Sequence, residues 1–274
     1  MNWHSRISVI VSILCINKLN AQSNLLNRLS NKFVVIAHRG DHTNAPENTL
    51  LAYRNAIQAG VDFVEIDLRT TKDSQLVIMH DATLNRMTGI DSRISDLSYD
   101  SLQKCKVMTN AHPEWGYHSI PTFDEVLSLC KNKINIYLDF KNASVKQAYE
   151  SIVAYGMEKN VLVYINAPQQ LVEWRKVAPQ MPLMISLPKK ITTSKELQEL
   201  VSQFKIDILD GDYSDYNLEV VIAAKNLGIP IWADIQSKEE GPSQWDSALK
   251  IGLKGLQTDH PKAIMDYLKL QGLK

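Results

Sequence analysis

The residues best suited to chemistry gather in one stretch, Phe33–Asp81. His38-Arg39-Gly40 follows the apolar run Phe33–Ala37, Glu65 and Asp67 alternate with Val64, Ile66 and Leu68, and His80-Asp81 closes a third run. Imidazole titrates near neutrality, so His38 and His80 can divide acid and base roles between them. Further on, INIYLDFK places Asp139 and Lys141 on one face of a run. Three carboxylates converging in one cavity repel one another unless a cation sits between them. Their all-oxygen character favours a hard ion, Mg²⁺ or Ca²⁺, over zinc. Arg39 offers a planar fork matched to phosphate oxygens, and Lys141 offers a point charge. With a divalent ion, these cations would offset the charge of a phosphodiester and of its transition state. The competing readings are a solvated strand face for Glu65 and Asp67, a charge network with Arg39 and Lys141, and histidines that merely pack.

Other residues carry weaker signals. His42 lies in the loop after Gly40 and is a candidate to line the same site. His112 and His118 fall in the segment 82–121 and suit a surface or a substrate-facing position, and His260 beside Pro261 suits a helix start. Asp210, Asp212 and Asp234 close later runs and suit a supporting role. Trp232 either walls the substrate pocket or is a core aromatic. Neither a Gly-x-Ser-x-Gly elbow nor a His-Glu-x-x-His motif is present.

These residues need elements to hold them. Phe33–Ala37 suits a buried strand. Pro46-Glu47 predicts a helix start, with Leu50, Tyr53, Ile57 and Val61 at helical spacing and Gly60 as the stop. Phe63–Arg69 alternates as a strand does. The turn Thr70–Gln75 is too short for a parallel crossover, so Leu76–His80 should return as an antiparallel hairpin and carry His80 alongside Glu65 and Asp67. Residues 82–121 read as a small insertion. A helix over Phe123–Cys130 and a strand over Ile134–Lys141 follow. Strands at 161–165, 182–187, 206–210, 229–234 and 255–258 then alternate with helices, the last running from Pro261 to about Leu270. Without the hairpin strand the count is eight, which fits an α/β protein of the (β/α)₈ (TIM) barrel type, with an insertion after a hairpin that follows strand 2. An open doubly wound sheet is the alternative, but His-Arg-Gly-Asp-His stands where its glycine-rich turn belongs. In a barrel, chemistry collects at the C-terminal strand ends, where His38, Glu65, Asp67, Asp139 and Lys141 all fall.

The 274 residues are 45% hydrophobic and 22% charged, with 30 basic and 30 acidic side chains. That balance argues against broad nucleic-acid binding and against a basic membrane-docking surface. Residues 1–21 have the order of a secretory signal: Arg6, then the apolar ISVIVSILCI, then Ala21. The apolar core is too short for stable membrane insertion as a helix. The expected product is an exported domain over residues 22–274, periplasmic or secreted. Cys15 leaves with the signal, and Cys105 and Cys130 are equally readable as free thiols or a disulfide.

Beyond this, the chain resembles the glycerophosphodiester phosphodiesterases. The likeness rests on AHRG (37–40), PENT (46–49), EID (65–67), HDATLNRMTG (80–89), IPTFDEVL (120–127), DFK (139–141), Trp232 and TDHP (258–261). It implies a (β/α)₈ barrel with a small insertion, one divalent cation and a small-molecule glycerophosphodiester substrate. By motif match it implies His38 and His80 as acid and base, Glu65, Asp67 and Asp139 as metal ligands, and Arg39 and Lys141 as phosphate binders. Two positions depart: the family usually has Glu at the place of Asp139, and often Asn at that of Asp234. Two routes fit these residues. Either the substrate's glycerol 2-hydroxyl attacks phosphorus and water later opens a cyclic phosphate, or water attacks directly. The alternative functions are cleavage of an intact lipid, which wants an exposed apolar rim, and a non-catalytic phosphodiester-binding barrel.

Overall fold

The computed structural model describes residues 25–26, 28–29, 32–108 and 112–274. The signal-like segment 1–21, with Cys15, lies outside them. Eleven strands are formed among the described residues: β1 (Val34–Ala37), β2 (Phe63–Thr70), β3 (Leu76–Ile78), β4 (Lys106–Val107), β5 (His118–Ser119), β6 (Asn135–Asn142), β7 (Val161–Ile165), β8 (Leu183–Ser186), β9 (Ile208–Asp210), β10 (Trp232–Asp234) and β11 (Gly255–Thr258). Eight of them run parallel in the order β10-β11-β1-β2-β6-β7-β8-β9. Single bridges Leu209–Ile231 and Asp212–Asp234 link the two outer strands, so the sheet closes on itself as the expected (β/α)₈ barrel. β3 returns antiparallel on β2, pairing Leu68 with Ile78.

Period-two alternation sorts side chains into two cores. Val35, Val64, Ile66, Leu68, Ile136, Leu138, Phe140, Val163, Leu209, Ala233 and Leu256 point outward and pack with the surrounding helices. Val34, Ile36, Phe63, Tyr137, Leu162, Met184, Ile208 and Trp232 point inward, and Leu25 and Leu29 pack among them. Two residues further along most of these strands the inward face turns polar, as Glu65, Asp139, Tyr164, Asp210, Asp234 and Gln257. The barrel is thus apolar toward its N-terminal end and charged toward its C-terminal end.

The insertion keeps a core of its own. Val77 and Met79 from the hairpin pack with Leu84, Met87, Ile94, Leu102, Cys105, Val107 and Ile120. Its strands β4 and β5 pair antiparallel. Cys105 belongs to this core and Cys130 to the outer barrel core; both are free and buried.

Two local expectations are corrected. The helix expected from Pro46 runs over Leu50–Ala59, capped by Thr49, whose hydroxyl accepts from the Ala52 amide. Asn48 has a left-handed backbone at φ 55, and a helix cannot pass through that conformation. Trp232 does not reach the substrate side. It opens β10 inside the apolar end of the barrel, 2% exposed, with its ring centroid 5.3 Å from that of Phe63. Gly255 on β11 makes the room: a Cβ there would lie 2.7 Å from the indole.

Candidate active site

The turn after β1 delivers the first groups. Arg39 and Gly40 both take left-handed backbone, at φ 53 and 84. This turns the Arg39 amide toward Glu65 Oε2, to which it donates at 2.7 Å. Glycine is required at 40, because a Cβ would sit 2.8 Å from the Ala52 backbone.

Glu65 and Asp67 on β2 face Asp139 on β6, in direct register between Asp67 and Asp139. Oxygens of all three lie within 4.8 Å of one another. Glu65 is 3% and Asp67 1% exposed. Burial, then the charges of Asp67 and Asp139, push the Glu65 carboxyl well up. Burial and Asp67 likewise raise Asp139, against the opposing pull of Lys141. Such mutual repulsion in an all-oxygen set is what a hard divalent cation relieves, and the donor set fits Mg²⁺ or Ca²⁺. Lys141 supplies positive charge, donating to Asp139 and lying 3.2 Å from Asp67 Oδ1. Although burial alone would lower its pKa, Asp67 and Asp139 raise it. Asn48 donates to Asp67 Oδ2 at 2.7 Å and accepts from Tyr53 at 2.7 Å. Asn166 donates to Asp139 Oδ1 at 2.6 Å.

Both histidines rest on carboxylates through Nδ1. His38 lies 2.7 Å from Asp259, and His80 lies 2.7 Å from Asp81. Despite burial, His38 and His42 hold Asp259 well below the usual carboxylate range. Hydrogen bonds from Arg86 hold Asp81 at about 2. An ionised carboxylate only accepts, so each Nδ1 carries the hydrogen and Nε2 is left for proton transfer. Behind His80 the contacts continue from Asp81 to Arg86 at 2.7 Å, from Arg86 to both oxygens of Glu47 at 2.7 and 2.8 Å, and from Glu47 to Arg39 at 2.9 Å. Arg69 donates to the His80 carbonyl, tying the hairpin end to β2.

One cavity at the C-terminal end of the barrel is lined by His38, Arg39, Glu65, Asp67, His80, Asp139 and Lys141 together. The opposite wall carries Asp210, Asp234 and Gln257. His42 sits beside the site, 3.0 Å from Asp259. His112 stacks on Trp115 in the insertion, and His118 contacts the Trp115 carbonyl. Asp259 carried a signal in the TDHP stretch but no separate sign of its role. Asn166 and Gln257 are ordinary polar residues whose placement depends on the barrel register.

Comparison with known proteins agrees with this picture. The family model described as glycerophosphoryl diester phosphodiesterase family matches residues 38–263. A glycerophosphodiester phosphodiesterase of Caldanaerobacter subterraneus subsp. tengcongensis is 25% identical over 88% of this chain and its own full length. Among solved structures, a glycerophosphodiester phosphodiesterase from Agrobacterium tumefaciens superposes with a TM-score of 0.74 at 18% identity, covering 85% of this chain and 99% of its own. A phosphodiesterase from Oleispira antarctica, solved in complex with the product sn-glycerol-3-phosphate, gives 0.72 at 24% identity, covering 86% and 96%.

Proposed function

This chain belongs to the glycerophosphoryl diester phosphodiesterase family and is a phosphoric diester hydrolase, and on that premise we propose that it cleaves glycerophosphodiesters to glycerol 3-phosphate and an alcohol. The observation that carries the reading is the meeting of both histidines, the three carboxylates, Arg39 and Lys141 in one cavity. Glu65, Asp67 and Asp139 would hold one divalent cation, Mg²⁺ or Ca²⁺, which when bound supplies Lewis-acid charge for the phosphoryl oxygens. Arg39 and Lys141 bind and orient the phosphate. Of His38 and His80, one removes the proton of the attacking hydroxyl and the other protonates the leaving alcohol. The attacking hydroxyl is either water, which gives glycerol 3-phosphate directly, or the substrate's own glycerol 2-hydroxyl, which expels the alcohol and leaves a cyclic phosphate that water then opens to glycerol 3-phosphate. Asp259 and Asp81 keep the two rings in the tautomer that exposes Nε2.

Release of glycerol 3-phosphate from glycerophosphocholine and glycerophosphoethanolamine tests this, first in EDTA and then with Mg²⁺ or Ca²⁺ restored. Release that returns with the ion supports both the reaction and the carboxylate set. No release with either ion, from folded protein, would turn the reading to an intact-lipid substrate and then to a binding protein. We also propose export, on the order of residues 1–21 alone; a native protein found in the cytosol with its N-terminus at Asn2 would exclude it. No helix among the described residues is long and apolar enough to cross a membrane.

A further inference from the structure

His42 has no task in the chemistry above, yet it is aimed at the same oxygen as His38. His38 Nδ1 lies 2.7 Å and His42 Nε2 3.0 Å from Asp259 Oδ1. One ligand atom from each of the three side chains lies within 4.8 Å of the other two. Zn²⁺ sits about 2.0–2.2 Å from imidazole nitrogen and carboxylate oxygen, which puts neighbouring ligand atoms of a tetrahedral site about 3.3 Å apart. The two contacts need to open by only about half an ångström to admit it. The three groups have separate anchors. His38 and Asp259 follow the paired strands β1 and β11, where the His38 amide donates to the Thr258 carbonyl at 3.1 Å. The Asp259 amide donates to Glu240 Oε2 at 3.1 Å. His42 lies between Asp41, whose amide donates to the Ala52 carbonyl, and Thr43, whose amide and hydroxyl both donate to the Asp41 carboxylate. Ligands already held by their backbones lose little freedom on binding an ion. The side chains of His38, His42 and Asp259 are 21%, 26% and 30% exposed, so an ion reaches them from solvent. Donor chemistry separates this cluster from the three carboxylates. Glu65, Asp67 and Asp139 offer oxygen alone, which suits Mg²⁺ or Ca²⁺, whereas two imidazoles with one carboxylate suit Zn²⁺, with water as the fourth ligand.

We propose that His38, His42 and Asp259 form a second, inhibitory metal site that takes Zn²⁺ and, when filled, stops turnover. The site stands on the geometry of the three side chains; its effect on turnover rests on the phosphodiesterase reading of His38. In neutral His38 the one ring hydrogen is on Nδ1, against Asp259. Zn²⁺ at Nδ1 needs that lone pair, so the hydrogen moves to Nε2 with no net loss or gain of a proton. Nε2 then has no lone pair with which to take a proton. As the N–H of a neutral, metal-bound ring it is also a far weaker acid than an imidazolium. Whichever of the two proton-transfer roles His38 fills, Zn²⁺ removes it. His42 contributes a ligand and no chemistry, which is why it can be tested apart from the reaction.

Calorimetric titration of Zn²⁺ into the full chain, in excess Mg²⁺ and in a parallel series in excess Ca²⁺, reads the site without turnover. His42→Gln keeps an amide donor for Asp259 but has no ligand nitrogen. It should bind Zn²⁺ about 10- to 100-fold more weakly than wild type, at least the loss that a missing outer-shell partner causes. Release of glycerol 3-phosphate is then followed against Zn²⁺, each protein scaled to its own zinc-free rate. Wild-type turnover should fall with the same occupancy and should not return as Mg²⁺ or Ca²⁺ is raised. His42→Gln should need about 10- to 100-fold more Zn²⁺ for the same loss. Thermal melts check that the variant folds, and His42→Asn replaces it if it does not. Equal Zn²⁺ binding by wild type and the folded variant overturns the site. Inhibition that Mg²⁺ or Ca²⁺ relieves overturns it too, since the zinc then sits on Glu65, Asp67 and Asp139. Zn²⁺ bound through His42 with turnover undiminished overturns the inhibitory role. Zn²⁺ bound through His42 in a protein that hydrolyses no glycerophosphodiester keeps the site and removes the phosphodiesterase reading instead.

Discussion

At the scale of single residues, two identical imidazoles receive different support. His38 shares Asp259 Oδ1 with His42, whose pKa is raised because the hydrogen bond and charge of Asp259 outweigh burial. His80 leans on an aspartate that is itself clamped by Arg86. On the proposed mechanism Asp259 would act on substrate only through the ring of His38, which it holds at 2.7 Å. Asp259→Asn should therefore lower kcat by about 10- to 100-fold while KM stays within about twofold, a split that simple destabilisation does not produce. Trp232 makes the opposite case. It packs on Phe63 among apolar side chains and does not line the cavity. Trp232→Phe should cost roughly 1–3 kcal/mol in urea unfolding and leave KM for glycerophosphodiesters unchanged. A rise in KM with unchanged stability would return Trp232 to the substrate.

At the scale of elements, the site depends on how β1 ends. Two consecutive left-handed residues, Arg39 and Gly40, aim one backbone amide at Glu65 and bring the chain against the helix Leu50–Ala59. The Asp41 amide bonds the Ala52 carbonyl in the same contact. Gly40→Ala forces a Cβ into that backbone and into an unfavourable φ. The expected loss is at least about 2 kcal/mol of stability, accompanied by weaker phosphate binding, because Arg39 moves with the turn. Equal stability of this variant in thermal melts would show that the contact relaxes freely. The hairpin β2–β3 does the corresponding work for His80, and Arg69 pins its carbonyl at 2.9 Å.

At the scale of the whole molecule, Glu47 ties the insertion to the barrel. It receives Arg86 from the insertion and Arg39 from the turn after β1. Although burial pushes the other way, these arginines hold its carboxyl down at about 2, from an ordinary 4.5. A carboxyl depressed by folding binds fewer protons folded than unfolded, so its contribution is complete above about pH 4.5 and is lost as pH falls toward about 2. That contribution is on the order of 2–3 kcal/mol. Glu47→Gln should be less stable than wild type at neutral pH, with the gap closing as pH falls through this window. Denaturant titrations at several pH values would show it, and a gap that stays constant would assign the loss to packing.

The sequence by itself determined the order of the barrel strands and helices, the sorting of side chains onto two faces along Phe63–Arg69 and Ile134–Lys141, and the grouping of His38, Glu65, Asp67 and His80. Those follow from local rules: period-two alternation, short turns that force a hairpin, and apolar runs that must be buried. The helix start at Pro46 was misread because Asn48 adopts a left-handed backbone through a tertiary contact, its amide bonding the Arg39 carbonyl. Only the closed barrel placed Asp259 on His38, across 221 residues of chain, since β11 pairs with β1. It also decided that Trp232 faces apolar interior while Asp234, two residues on, lines the charged cavity. Depth along a barrel axis is set by the stagger between strands, and no single strand's sequence records that stagger.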